Sequence, residues 1–502
     1  MKKIDWTPLM VAVTVFMVFS CAPAARFLQW DDAANLINND KWRGLSFENL
    51  KWMWLTRHYG PWQPLSWLSW AINFKCSGLN AEAFRRTNVF LHAASAGLFY
   101  LVCRRLLPRE KNSVYAAAGG ALMFALHPLR VESVVWITER RDVLSGFFSL
   151  FSIWLYVENR KSLSFISFAG AVLSKGTAVA TVPFIFLIDV YLMDVPARKA
   201  VKYILPHAVI GLFAACKNLG GFSTGDVHAL PLPLFDRLLV AASGAWFYLE
   251  KTLLPINLSP YYALSLNGNA IRQESYPSAF LALLVTGLCF HRRIRSWALP
   301  VWLAYLLALA PVSGLLQNGR QSAADRYSYL SCMPFALLFA FFLTRLRERA
   351  ALVAVSCVAL ILSAATVAQA AFWRDDVTLW SRAVSVQPDA YLPNSNLSVA
   401  LLMAGRGPAA IPFLENAIRL EPRDAEARVN LAWLVAARGD AARAITLFRE
   451  AVDLKPNDPS FAAARFNLGL LLAREGHKSD GLAQMREAVR LDPSLSRRLP
   501  NN

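Results

Sequence analysis

A chain of 502 residues with 56% hydrophobic and only 17% charged residues, at a mean hydropathy of +0.35, is too apolar for an ordinary soluble protein. The net charge of +18 would suit a nucleic-acid binder, but Lys and Arg fall in short clusters between apolar segments, at Arg104-Arg105, Arg160-Lys161, Arg198-Lys199, Arg292-Arg293 and again from Arg345 to Arg349. That is the positive-inside pattern of a polytopic membrane protein, and it argues against nucleic acid as a partner. Six of the seven cysteines lie in or beside apolar runs, and no spacing suggests a disulfide framework or a zinc site.

The first apolar stretch, 6–28, is longer than the ~7–15 residues of a signal h-region and reads as a retained first helix that starts in the cytosol. At its exit stands Trp30-Asp31-Asp32. Two adjacent carboxylates there favour a solvated site beside the bilayer, although either one could cap a short helix running through Leu36. The tryptophan-rich loop 42–70 suggests helices lying on the membrane surface, because indole is apolar with one polar N–H. Further spans are expected at 87–107, 114–126, 143–157, 203–215, 279–290, 297–316, 327–343 and 350–372. Two short runs within 163–194 break at Ser174-Lys175-Gly176. The segment 238–254, which follows the Gly-rich loop 220–225, would violate the charge rule as a span and is expected to be re-entrant or surface-lying. The fold class is therefore all-α: a membrane helical bundle of about eleven spans over residues 1–372, with the C-terminus opposite the N-terminus.

From residue 373 the composition becomes soluble and mixed in charge. Pro388, Pro422 and Pro456 recur at 34-residue intervals, each five residues after an alanine (Ala383, Ala417, Ala451), and Gly405 and Gly439 keep the same interval. A further unit with Gly476, Ala488 and Pro493 follows after 37 residues. Thirty-four is the tetratricopeptide period, in which small residues let paired helices approach. The domain 373–502 is expected to hold a half unit at 378–388 and full units at 389–422, 423–456 and 459–493.

Two polar stretches interrupt the apolar part. In 127–142, a helix from Val131 would put Glu132, Trp136 and Arg140 on one face, offering a carboxylate, an aromatic surface and a guanidinium to a sugar and its phosphate. A solvated loop with internal ion pairs would serve equally. In 317–330, Asp325-Arg326-Tyr327 either forms a buried salt bridge at a helix top or holds a phosphate. Lys175 at its break is either an anion's partner or the hinge of a helical hairpin.

The Trp-Asp-Asp exit, the stretch from His127 to Trp136 with Glu139-Arg140-Arg141-Asp142, the Ser-Lys break, the Ala-Asp-Arg-Tyr-Ser-Tyr stretch and the terminal repeats occur here in one order. Together they resemble the transmembrane and tetratricopeptide-repeat O-mannosyltransferase-like family and its bacterial relatives, within the type C glycosyltransferases. The resemblance implies a hexosyltransferase that takes sugar, in the family mannose, from a polyprenyl-phosphate donor to an acceptor protein or glycan on the non-cytosolic face. It implies a multi-pass protein of a bacterial inner membrane, with the repeats in the periplasm or the equivalent compartment. Asp31 and Asp32 correspond to the family's acidic motif, so one of them is the expected base. Arg326, Arg140, Lys175 and His127 are the expected donor-phosphate contacts, and Glu132, Trp136, Asp325 and Tyr327 the expected sugar pocket. Gly176 is a departure, because relatives commonly carry Glu or Pro after the Ser-Lys pair. An Asp pair can bind a divalent cation, but the sequence does not require one. Two other functions fit parts of the chain: a non-enzymatic scaffold using the repeats, and a transporter for a lipid-linked glycan.

Overall fold

The computed structural model describes residues 4–59, 61–219, 232–264, 266–267, 270–271, 275–315 and 320–499. The expected Gly-rich loop 220–225 and the residues Gln317, Asn318 and Gly319 lie outside them. The chain divides into two compact units, Met1–Asp375 and Asp376–Asn502.

In the first unit, helix α1 (Thr7–Ser20) is shorter than the apolar stretch that contains it. Pro23 lacks an N–H and biases the residue before it toward extended backbone, so the helix stops and residues 23–28 run without one. Helices α2 (Phe47–Leu55) and α3 (Pro64–Ser77) follow, the first opened by a capping box between Ser46 and Asn49. In this tryptophan-rich region, expected on the membrane surface through its indoles, Trp42, Trp67 and Trp70 are instead fully buried in protein and pack with Met53 and Phe84. Indoles hold this region together from inside, while Phe47, Trp54 and Leu55 stay exposed.

Helix α4 (Ala81–Leu106) runs through the unit, and its first turns hold the extended chain. Arg85 donates to the Pro23 carbonyl, and Glu82 accepts from the Ala25 N–H. The next helices are broken. Helix α5 (Ser113–Ala125) bends by 52° into Pro128–Val135, which contains a 3-10 turn and α6 (Val131–Val135). A second 3-10 turn, Ile137–Glu139, leads into α7 (Arg140–Val157). Helix α8 (Lys161–Ser174) breaks at Lys175 and continues through the 3-10 turn Gly176–Ala180 into α9 (Thr181–Leu192). Then come α10 (Ala197–Leu219), α11 (Leu234–Leu253), α12 (Tyr276–Cys289) and α13 (Arg295–Leu309). The turn Asp325–Tyr327 and α14 (Ser328–Ser331) meet α15 (Met333–Leu343) at 53°, and α16 (Glu348–Ala370) ends the bundle.

Two short antiparallel ladders interrupt the helices, β1 (Tyr262–Ala263) with β4 (Gln321–Ala323) and β2 (Leu266–Asn267) with β3 (Ala270–Ile271). Among the described residues, four helices are long and apolar enough to cross a membrane, or six if each bent pair is one span. A count near eleven also needs shorter apolar helices such as Thr7–Ser20 and Tyr276–Cys289. This is the architecture of a multi-pass membrane protein. Close packing at the helix breaks depends on small residues: a Cβ on Gly146 would stand 2.2 Å from a Tyr329 ring carbon.

The second unit is a stack of helix pairs. After α17 (Asp376–Val386) come α18 (Tyr391–Met403) with α19 (Gly407–Leu420), α20 (Ala425–Ala437) with α21 (Ala441–Leu454), and α22 (Ala462–Arg474) with α23 (Lys478–Leu491). Gly405, Gly439 and Gly476 turn each pair at φ of +70°, +87° and +95°, which explains why glycine keeps the period. Ala383, Ala417, Ala451 and Ala488 are fully buried at the helix crossings. The longer spacing before the last pair accommodates the 3-10 turn Pro459–Phe461.

Candidate functional site

The broken helices bring their charged residues together. Glu139, fully buried at the end of its 3-10 turn, is the hub. Its Oε1 accepts from Arg141 Nη2 at 2.6 Å and lies 3.5 Å from Arg326 Nε, and its Oε2 accepts from Lys175 Nζ at 3.1 Å. Lys175 also donates to Asp142 Oδ1 at 2.5 Å, and Arg326 donates through its side chain and its backbone N–H to Glu132. Asp31 joins through Arg141 at 3.7 Å. The cations keep 11–13% of their side chains exposed while Glu132 and Glu139 keep none. The positive groups and Asp31 therefore form the open edge, and Glu132 and Glu139 their backing. Burial works to raise the Glu139 pKa, but Arg141, Lys175 and Arg326 outweigh it and hold the group well below 4.5.

The two aspartates have different environments. Asp32 is fully buried; it accepts from the N–H groups of Leu28 and Thr138 at 3.0 and 2.9 Å and from the Thr138 hydroxyl. Burial pushes its pKa up to about 7 against those bonds. Those three donors make Asp32 an anchor between the exit segment and the turn before α7. It does not cap the short π-helix Ala33–Ile37 with its side chain. Asp31 lies deep among protein atoms yet keeps 36% of its side chain open. Burial raises its pKa, opposed by Arg141 and Arg326.

Several expected residues stand elsewhere. Glu132, Trp136 and Arg140 do not share a helix face, because α6 ends at Val135, Trp136 is extended and a new helix starts at Arg140. Arg140 turns away from the recess and donates to Asn88 Oδ1, to Ser69 Oγ at 3.0 Å and to the Phe84 carbonyl at 2.7 Å, so it ties α7 to α3 and α4. His127 is also structural. Its Nδ1 accepts from the Leu129 N–H at 3.3 Å, which leaves Nε2 to carry the proton and donate to the Thr252 carbonyl at 3.1 Å.

The expected sugar pocket is closed as well. Trp136 is 1% exposed, stacked with Trp30 at 4.5 Å and beside Trp373 and the Arg326 guanidinium. Glu132 is consumed by Arg326. Asp325 is buried and accepts from the Tyr262 hydroxyl at 2.8 Å. Tyr327 lies against the Arg326 guanidinium and lines a small recess with Lys175, Asp142 and Ser145. These side chains form walls, and Trp30 is the partly open aromatic neighbour of Asp31.

Glu139, Arg141 and Asp142 were missed in the sequence. The signal for them is four consecutive charges opening an apolar span, of which one continuous helix from Val131 would put only Arg140 on the face of Glu132 and Trp136. Gly176 also has a local reason: a Cβ there would meet Asn218 Nδ2 at 2.5 Å. Asn218 cannot easily yield, because it accepts from the Trp62 N–H at 3.1 Å and donates to the Ala214 carbonyl at 2.8 Å. Lys175 already has Glu139 and Asp142 as partners, so a glutamate at 176 is not needed to hold it. Among the described residues no group of three His, Cys, Asp or Glu side chains is arranged to hold a metal ion.

Below this recess lies an apolar crevice of about 630 Å³, lined on α4, α7, α9, α13 and α15 by residues such as Phe99, Leu150, Phe184, Ala304 and Leu337, with Arg345 among its lining. The crevice and the charged recess have separate linings that approach each other along α7 and α13 and across the breaks before α9 and α15. Leu150 and Ser145, Phe184 and Ala180, Ala304 and Ala308, and Met333 and Leu330 are three to five residues apart, about one turn.

A charged recess among broken helices, set over an apolar crevice in a multi-pass bundle and joined to a helical-repeat unit, defines a polytopic membrane protein with a buried polar site. Comparison with known proteins gives the relationship. A tetratricopeptide-repeat family model matches residues 401–490. Protein O-mannosyl-transferase F38B6.6 of Caenorhabditis elegans is 24% identical over 82% of this chain and 62% of its own length. Human Protein O-mannosyl-transferase TMTC1 is 23% identical over 81% of this chain and 52% of its own. A crystal structure of the MamA protein aligns with 25% of this chain and 67% of its own at 20% identity, with a TM-score of only 0.22. The chain is similar over most of its length to proteins named as protein O-mannosyl-transferases, and it spans between half and two thirds of the length of these two curated relatives.

Proposed function

We propose that this chain is a membrane glycosyltransferase that moves a sugar from a polyprenyl-phosphate donor to an acceptor hydroxyl on the non-cytosolic face. The observation that carries the reading is the charged recess standing within about one helical turn of the apolar crevice's lining on four stretches of chain. Cations at the head and an apolar channel behind suit a phosphate with a hydrocarbon tail. From Met333 to Arg345 the crevice lining covers roughly 18 Å of helical path at ~1.5 Å per residue. A hydrocarbon core is ~30 Å thick, so the crevice suits a tail longer than one leaflet. The relatives named as protein O-mannosyl-transferases support sugar transfer.

In this reading Asp31 takes the proton of the acceptor hydroxyl as its oxygen bonds to the anomeric carbon. The bond from that carbon to the phosphate oxygen breaks, and Arg326, Lys175 and Arg141 hold the polyprenyl phosphate that leaves. A single displacement inverts the anomeric centre. A scaffold would need no such convergence of charge. The repeats belong in the compartment of Asp31, where they can present an acceptor polypeptide, and in a bacterium that compartment is the periplasm.

The test incubates purified protein with a panel of polyprenyl-phosphate sugars of long and short tail and measures release of lipid phosphate. Long-tailed donors should turn over, and Leu337→Trp should raise their KM while sparing short ones. Absence of release from every donor would defeat the reading. A reporter fused after Asn502 that signals from the cytosol would defeat the location of the repeats.

A further inference from the structure

Among the described residues, Arg141, Lys175 and Arg326 each already hold a carboxylate. With Asp31, Glu132, Glu139 and Asp142 ionised against Arg141, Lys175 and Arg326, the cluster carries one excess negative charge. A phosphate placed among these groups would add to that excess in a poorly solvated site, where like charges repel strongly. One carboxylate must therefore give up its cation and its charge.

Geometry singles out Asp142. Glu139 is shared by three cations, Glu132 receives two N–H donors of Arg326, and Asp31 is partly solvated. Asp142 has one cation, Lys175, and one hydroxyl donor, Ser133 at 3.1 Å. It lines a cavity of about 20 Å³ with Ser145, Lys175, Arg326, Tyr327 and Tyr329, and Glu139 faces it beside Lys175.

Resting on the donor reading above, we propose that phosphate binds by exchange. Lys175 turns from Asp142 to the phosphate, and Asp142 takes one proton from bulk water. The site thus trades a carboxylate charge for a phosphate charge, and donor binding is coupled to the uptake of one proton. On release of the phosphate Asp142 returns the proton to water and recaptures Lys175.

The test uses the full chain in detergent and two probes whose single charge does not titrate near neutrality: a polyprenyl-phosphate mannose and dihexadecyl phosphate, which has no sugar. Calorimetry in two buffers of different ionisation enthalpy counts the protons. Wild type should take up one proton per molecule bound, and above the titration of Asp142 its affinity should fall about tenfold per pH unit. Asp142→Asn, which cannot ionise, should bind with no uptake and a flat pH profile. Should that variant not fold, Asp142→Ser, which likewise has no ionisable carboxyl, replaces it and should also bind with no uptake. Binding without proton uptake, or an unchanged pH slope in the variant, overturns the exchange and leaves the donor reading standing. Uptake with dihexadecyl phosphate but no binding of the mannose donor supports exchange and defeats the donor reading. If neither probe binds, both are overturned.

Discussion

The Asp31 carboxylate stands 3.7 Å from the Arg141 guanidinium with 36% of its side chain open, whereas Asp32, next in the chain, is sealed under Thr138. Asp31→Asn should therefore lower sugar transfer by roughly 10²–10⁴, the usual span for losing a general base, with thermal unfolding unchanged. Asp32→Asn turns an amide N–H toward groups that are themselves donors and should cost about 1–3 kcal/mol of stability. Transfer rates and unfolding temperatures in detergent check both, and equal transfer by Asp31→Asn and the parent removes Asp31 as base.

The pH dependence follows from the same pair. A base works only when ionised, so transfer should rise with pH, along a limb above the ordinary aspartate value of 3.8 because burial raises the Asp31 pKa. Arg141 pulls that pKa down. Arg141→Gln should move the limb to higher pH, lowering activity more on the acid side than on the alkaline side. A limb that stays in place in a folded Arg141→Gln would show that Arg141 does not act on the base.

Arg140 and Arg326 should separate by phenotype although both guanidinium groups are buried. Arg140→Gln abandons the acceptors of Asn88, Ser69 and Phe84 at about 1–3 kcal/mol for each one left unpaired, so it should reduce folded yield and leave the donor KM of surviving protein unchanged. Arg326→Gln should raise the donor KM by about tenfold or more, since a hydrogen bond to a charged group contributes about 1.5–3 kcal/mol. Steady-state kinetics with a polyprenyl-phosphate sugar distinguish them.

Gly176→Ala should destabilise the protein by about 1–3 kcal/mol, the usual penalty of overpacking, because the new methyl meets the doubly held Asn218. Combined with Asn218→Ala, the added penalty should largely disappear in thermal unfolding. Equal loss in either background would place the strain elsewhere.

Hydropathy and charge clusters made the apolar bundle legible in the sequence, and a 34-residue period of Ala, Gly and Pro made the repeats legible, because each depends on residue type at fixed spacing. So did the departure of Asp31 and Asp32 from the first apolar run and the charge of Lys175 at a helix break. Which of the two aspartates stays open was decided by Thr138, more than a hundred residues away, whose N–H and hydroxyl claim Asp32 alone. The choice between Arg140 and Arg141 turned on one short break after Val135, since a few irregular residues rotate everything that follows to another face. Glu139 became the hub only when Lys175 and Arg326 arrived from other helix breaks. Spacing along one helix can be read from the chain, but contacts between separate broken helices are set by how those helices pack.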